Sequence, residues 1–159
     1  MKNKVISKLF GKELISVMKD LVEKFKTLDY SVDLIVKDLN DINESVRVGL
    51  YLIALENNYD VVASRINKAN KILNDKRKDK FLKSYKDGNV DKFLASLGKG
   101  DKLSLLDDLG LNVDIKDRGN LTKEEKEYFK LISNSIMEEQ SEDKRDGIDQ
   151  FIKYKKEAN

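Results

Sequence analysis

A run of apolar residues spaced alternately by four and three crosses the first third of the chain. Counted from Leu14, it passes through Met18, Leu21, Phe25, Leu28, Val32, Ile35, Leu39, Ile42, Val46, Gly49 and Ile53, and only Gly49 breaks its apolar character. Such stepping puts every member on one stripe of an α-helix, the a/d seam of a heptad repeat. Ile15, Val17, Val22, Val36, Leu50 and Leu52 widen the stripe. A seam this broad packs against more than one neighbour, as in a globular bundle.

Length limits how the seam can be arranged. One straight helix over residues 14–53 would extend about 60 Å at roughly 1.5 Å per residue. A compact chain of this size is only about 40 Å across. The natural break is at Asp29, Tyr30 and Ser31, because Asp and Ser both cap helix N-termini well. The expectation is an αα-hairpin that turns there, with a second helix running to about Asn57. The competing arrangement is one continuous helix that forms a homodimer through the seam.

Composition supports helix throughout. Proline is absent from the 159 residues, where average usage would give about eight. The chain is 38% charged and 40% hydrophobic, and its apolar residues are periodic, which argues for an ordered core. The expected fold is therefore all-α: a single domain over 1–159, a compact bundle of about six to eight helices built around the heptad hairpin. That hairpin takes residues 2–57, a basic helical segment 59–86, and short helices, a loop at 111–121 and C-terminal helices fill 89–159.

Along the rest of the chain, Asp60 is placed to cap a third helix with Val62, Ile66, Ala69 and Leu73 inward. Near Asn74 and Asp75 the apolar phase shifts, since Phe81, Leu82 and Tyr85 fall on another face, and a bend or a new helix is expected there. Asn89 and Gly98 bracket a short helix with Val90, Phe93, Leu94 and Leu97. Asp101 and Gly110 bracket another, with Leu103, Leu106 and Leu109. Thr122 and Glu125 form a capping box ahead of Tyr128, Phe129, Ile132, Ile136 and Met137. A last amphipathic segment carries Ile148, Phe151 and Ile152.

The chemistry is defined mostly by what is missing. With no Cys and no His, disulfides, thiolate nucleophiles, the usual zinc sites and most nucleophile–base dyads are excluded. Gly98, Lys99 and Gly100 lack the spacing of a phosphate loop. Residues 114–125 have an EF-hand outline, with Asp114 first, Gly119 sixth and Glu125 twelfth, but Lys116 and Arg118 occupy the third and fifth ligand positions. On a helix Glu139, Glu142, Asp146 and Asp149 would share a face, yet no matching Glu-x-x-Glu pair lies within an apolar stretch elsewhere. They are taken as an exposed acidic face. No catalytic, cofactor-binding or metal-ligating residue is assigned, no cofactor is expected, and the chain is not expected to be an enzyme.

Charge supplies the one candidate surface. Between Arg65 and Lys86 stand Arg65, Lys68, Lys71, Lys76, Arg77, Lys78, Lys80, Lys83 and Lys86, opposed only by Asp75 and Asp79. The segments on either side, 1–60 and 101–159, each carry a small net negative charge, so a nearly neutral chain is polarised along its length. Lys76, Lys80 and Lys83 fall on one helical face. They would suit phosphates better than base edges, or equally an acidic protein surface.

No stretch approaches the ~18 apolar residues of a membrane span. Lys2 and Lys4 before Val5 and Ile6 open like a signal peptide, but Lys8 and Lys12 interrupt any apolar core. The chain is expected to be cytoplasmic. Its bias toward Lys, Asn, Ile and Asp suggests AT-rich coding, as in a low-GC bacterium or its phage or plasmid. The expected function is a non-enzymatic protein-protein interaction module (an adaptor, inhibitor or assembly factor), and the alternative is nucleic-acid binding through the basic 65–86 segment.

Overall fold

The computed structural model describes residues 11–27 and 29–138. Among these residues there are seven α-helices, one 3-10 helix and no strand, so the protein is all-α. The helices are α1 (Lys12–Phe25), α2 (Val32–Asp38), α3 (Glu44–Glu56), α4 (Asp60–Asp87), α5 (Val90–Ala95), α6 (Lys99–Asp108) and α7 (Lys123–Glu138), with the 3-10 turn at Ile115–Asn120 before α7. The chain divides into two compact units, the first ending at Leu73 and the second beginning at Asn74.

In the first unit the heptad residues form the core. Leu14, Met18, Leu21 and Phe25 of α1 are buried together with Ile35, Leu39, Ile42, Val46 and Ile53, and α1 packs on α3. Leu28, also on the seam, lies outside the described residues. These seam side chains are buried within the one chain. The chain breaks after Phe25 as expected: Asp29 takes a left-handed φ of 70° and the Ser31 hydroxyl accepts the Leu34 N–H at 3.2 Å.

The expected second helix is in fact two. After α2 the chain turns over residues 39–43 and restarts at α3, where the Asn43 side chain accepts the Val46 N–H at 2.9 Å. The reason is local chemistry. Asn40, Asp41 and Asn43 carry short polar side chains that compete for backbone groups and disfavour a helix interior. Leu39 and Ile42 remain buried through the turn, so the apolar spacing persists where the helix does not. At the end of α3, Asn58 is left-handed with φ 62° and Tyr59 N–H reaches the Ala54 carbonyl at 2.9 Å. That bond satisfies a carbonyl at the end of the helix and starts the chain back toward α4.

Helix α4 overturns a second expectation. It is one helix of 28 residues, so no new helix starts at Asn74 and Asp75. Its inward stripe is Ile66, Asn70, Leu73, Arg77, Phe81 and Ser84, all buried and stepping by three or four. The shift in phase arises only when apolar residues alone are counted, because Asn70, Arg77 and Ser84 occupy inward positions too. Asp60 falls in the first turn rather than ahead of it.

In the second unit Phe81, Leu94, Leu105, Leu106, Leu111, Tyr128 and Ile132 form the core, and α5 and α6 both pack on α7. Here the helix starts differ from the expected ones. Gly98, not Asp101, is the N-cap of α6, and Asn89 holds the cap position of α5 without a side-chain bond. Leu105 turns inward while Leu103 is exposed, and Met137 is exposed as well. The capping box forms as expected: Thr122 N–H donates to Glu125 Oε1 at 2.9 Å, and Glu125 N–H to Thr122 Oγ1 at 3.1 Å. The stretch with the EF-hand outline folds as the 3-10 turn. The expected segments before residue 11 and after residue 138, with the acidic cluster beyond Glu138, lie outside the described residues.

Tyr128 joins this core to a polar edge. Its ring meets Phe81 at 5.3 Å and Tyr85 at 4.8 Å, both edge-on, and its hydroxyl donates to Glu124. Burial, and then the bond to Glu124, pushes its phenol from 10.0 up to about 12. A raised phenol pKa means that the fold favours the neutral form. Its stabilising contribution is complete below pH 10 and is lost as pH climbs through about 12. Titration of phenolate absorbance should show one tyrosine ionising last, near 12, in the native chain and missing in Tyr128→Phe. Hydrogen exchange should show the second unit loosening over that same alkaline range.

Candidate functional site on the long helix

The nine basic residues of the 65–86 segment all lie on α4, but the structure does not use them alike. In the first unit Lys68 and Lys71 are exposed, whereas Arg65 is half-buried and donates from Nη1 to the Tyr30 carbonyl at 3.3 Å. In the second unit Lys76, Lys80, Lys83 and Lys86 are exposed and Lys78 is half-buried. Arg77 leaves the surface altogether, with 7% of its area exposed.

Arg77 is held by two carboxylates from α6. Its Nη1 donates to Asp101 Oδ1 at 3.3 Å, and both Nε and Nη2 donate to Asp108 Oδ2, Nε at 3.2 Å. Asp101 is itself only 7% exposed. The planar fork of an arginine can meet two carboxylates at fixed angles, which a lysine ammonium cannot. Beside it Lys102 is also buried, its Nζ donating to the Ser135 carbonyl at 3.3 Å, so α6 is tied to α4 on one side and α7 on the other. Asp101 was expected only as a helix cap, and nothing in the local sequence marked Asp101, Lys102 or Asp108 as partners of buried charge. A signal for Arg77 was there: Asn70, Arg77 and Ser84 recur at intervals of seven on the stripe that the apolar residues define.

The residues that remain form a row. Lys76, Lys80 and Lys83 step by four and three, so they share one side of α4, while Arg77 and Phe81 between them turn inward. The row spans about 10 Å along the helix at roughly 1.5 Å per residue. Exposed carboxylates break the positive field: Asp79 lies three residues after Lys76 and four before Lys83, and Asp87 four after Lys83. Alternating signs at these steps make a surface of paired charges rather than a uniform basic track. No three Asp or Glu side chains come together as a cation site among the described residues. No described helix is long and apolar enough to cross a membrane. No protein-family model, curated protein or solved structure matches the chain.

The structural role of Arg77 is separable from that of the row. Replacing Arg77 by Ala takes the guanidinium away from buried Asp101 and half-buried Asp108, and should destabilise the second unit by up to about 3–5 kcal/mol. Arg77→Lys should recover only part of this, since one ammonium cannot reproduce the fork. Reversing exposed Lys80 to Glu should change stability by no more than about 0.5 kcal/mol. Urea denaturation followed by circular dichroism, with hydrogen exchange to assign the loss to α6, checks all three.

Proposed function

We propose that the protein is a non-enzymatic, cytoplasmic protein-interaction module, which binds an acidic partner through Lys76, Lys80 and Lys83. The observation that carries this reading is the exposure of those three amines on one side of a helix whose opposite side is anchored by Phe81 and the Arg77–carboxylate cluster. A rigid row of point charges fixes which partner carboxylates can be met at once, and so gives register as well as attraction.

Nucleic acid is the other polyanion that such a row could meet. Two features favour protein. Asp79 and Asp87 interrupt the lysines at neighbouring helical positions, where they would repel a phosphate backbone but could pair with cations of a mixed protein surface. Neither arginine of the segment is presented for base-edge contact: Arg77 is buried and Arg65 is turned to the Tyr30 carbonyl.

The test is affinity capture from host lysate with the immobilised full chain, with and without nuclease, beside the Lys76→Glu, Lys80→Glu, Lys83→Glu triple variant. The expected result is a near-stoichiometric protein that survives nuclease and whose retention falls by about tenfold or more with the triple variant. Captured material that vanishes with nuclease, and an affinity for duplex that falls steeply with salt, would replace this reading with nucleic-acid binding. Retention indifferent to the charge reversal would remove the lysine row from the account.

A further inference from the structure

The turn that replaces the EF-hand outline presents one apolar side chain from a backbone held in place around it. Ile115 opens the 3-10 turn Ile115–Asn120 and keeps 78% of its area exposed. Its neighbours Asp114, Lys116, Asp117, Arg118, Gly119 and Asn120 are exposed too, and none carries an apolar side chain. A lone exposed apolar residue is ordinary on a protein surface. What sets Ile115 apart is how the chain on either side is tied into the second unit. Before the turn, Leu111 is fully buried, and its N–H reaches the Leu106 carbonyl at 2.9 Å across the left-handed Gly110. Asn112 donates from Nδ2 to Asp107 Oδ1 at 2.7 Å. Within the turn, Asp117 N–H donates to the Asp114 carbonyl at 2.9 Å, and Leu121 N–H to the Arg118 carbonyl at 3.2 Å. The Arg118 guanidinium lies 4.8 Å from the centre of the Phe129 ring, a cation–π contact. The Thr122–Glu125 capping box closes the far side. None of these ties uses the Ile115 side chain.

We propose that Ile115 is the anchor of a protein-binding loop, and that it seats in an apolar pocket on a partner protein, one shaped for a branched aliphatic side chain and rimmed by both signs of charge. Covering Ile115 removes apolar area from water, which is favourable wherever the cover is apolar. A loop already ordered loses little conformational freedom on binding, so more of that gain appears as affinity. A few side chains that fill pockets, ringed by neighbours that exclude water, carry most of the energy of many interfaces. The charges decide the class of partner. Asp114 and Asp117 offset Lys116 and Arg118, so the turn has no net charge to draw it to nucleic acid or to an anionic lipid surface. The rim of a protein pocket can match both signs at once. The loop is separate from α4, so this contact is distinct from the row of Lys76, Lys80 and Lys83 and does not depend on the acidic partner proposed for that row.

Photo-crosslinking tests this directly. The full chain carries a benzophenone amino acid in place of exposed Lys116 and is irradiated in nuclease-treated host lysate, alone and with Ile115→Val, Ile115→Ser or Ile115→Asp added. The expected result is an adduct with one protein whose yield depends on the side chain at 115. That yield should stay within about threefold for Ile115→Val, which keeps a branched aliphatic group, and fall by about tenfold or more for Ile115→Ser and Ile115→Asp. Position 115 is exposed, and unchanged thermal melts by circular dichroism confirm that the variants remain folded. The absence of any protein adduct overturns the proposal. So does an adduct with a second copy of the chain alone, one whose yield is indifferent to the side chain at 115, or one that Ile115→Val abolishes as fully as Ile115→Asp.

Discussion

A guanidinium taken out of water must find its hydrogen bonds in the protein, and in this molecule that requirement sets the second unit. Arg77 sits on the inward stripe of α4 and is met by Asp101 and Asp108, one near each end of α6. Removing either partner leaves an uncompensated charge, so the cluster tolerates one placement of α6 against α4 and few others. Leu105 and Leu106 are carried inward as a result, and Leu103 is carried outward, against what apolar spacing alone suggests. The first unit answers the same demand with backbone oxygens. Arg47, only 3% exposed, donates from Nε to the Ile42 carbonyl at 3.1 Å and from Nη1 to the Asn70 carbonyl at 3.3 Å. Asn70 returns a bond to the Arg47 carbonyl at 3.4 Å. Each unit thus has an arginine fixing one helix against another, where apolar side chains alone would permit sliding.

Apolar periodicity was enough to find the all-helical class and the first core, because burial is non-directional and needs only the right side of a helix. It was not enough to find where helices end. The seam passes through Leu39 and Ile42 without a change of spacing, yet the backbone there is a turn fixed by the Asn43 cap. Conversely, the spacing seemed to change at Asn74 where the helix is continuous. Both errors have one cause, since short polar side chains and buried polar side chains are invisible to a count of apolar positions. Capping expectations met the structure at Ser31 and the Thr122–Glu125 box, but Asp60 and Asp101 lie inside their helices and Asn89 makes no side-chain cap bond.

The candidate surface was legible in the same partial way. The density of positive charge between 65 and 86 is plain in the sequence, but charge density does not say which cations face solvent. That depends on partners distant in the chain, Asp101 and Asp108 for Arg77 and the Tyr30 carbonyl for Arg65. Local spacing correctly grouped Lys76, Lys80 and Lys83, because helical neighbours are fixed by the helix itself.

The division between arginine and lysine on α4 follows from their chemistry and bears on what the surface can recognise. Both arginines of the segment are engaged within the protein, whereas the exposed cations are all lysines. A guanidinium is weakly hydrated and forked, so it survives burial when carboxylates or carbonyls meet its plane. An ammonium is strongly hydrated and best left in water. A surface made of lysines attracts negative charge over a distance but imposes little angular preference on it. On the proposed reading, discrimination would come from the positions of the charges, in the alternation of Lys76, Asp79, Lys83 and Asp87 along one helix. A partner matched to that alternation gains at every step, whereas a uniform polyanion is repelled at every other one. On the proposed reading, specificity would be written in the order of signs from Lys76 to Asp87, which one stretch of α4 holds in register.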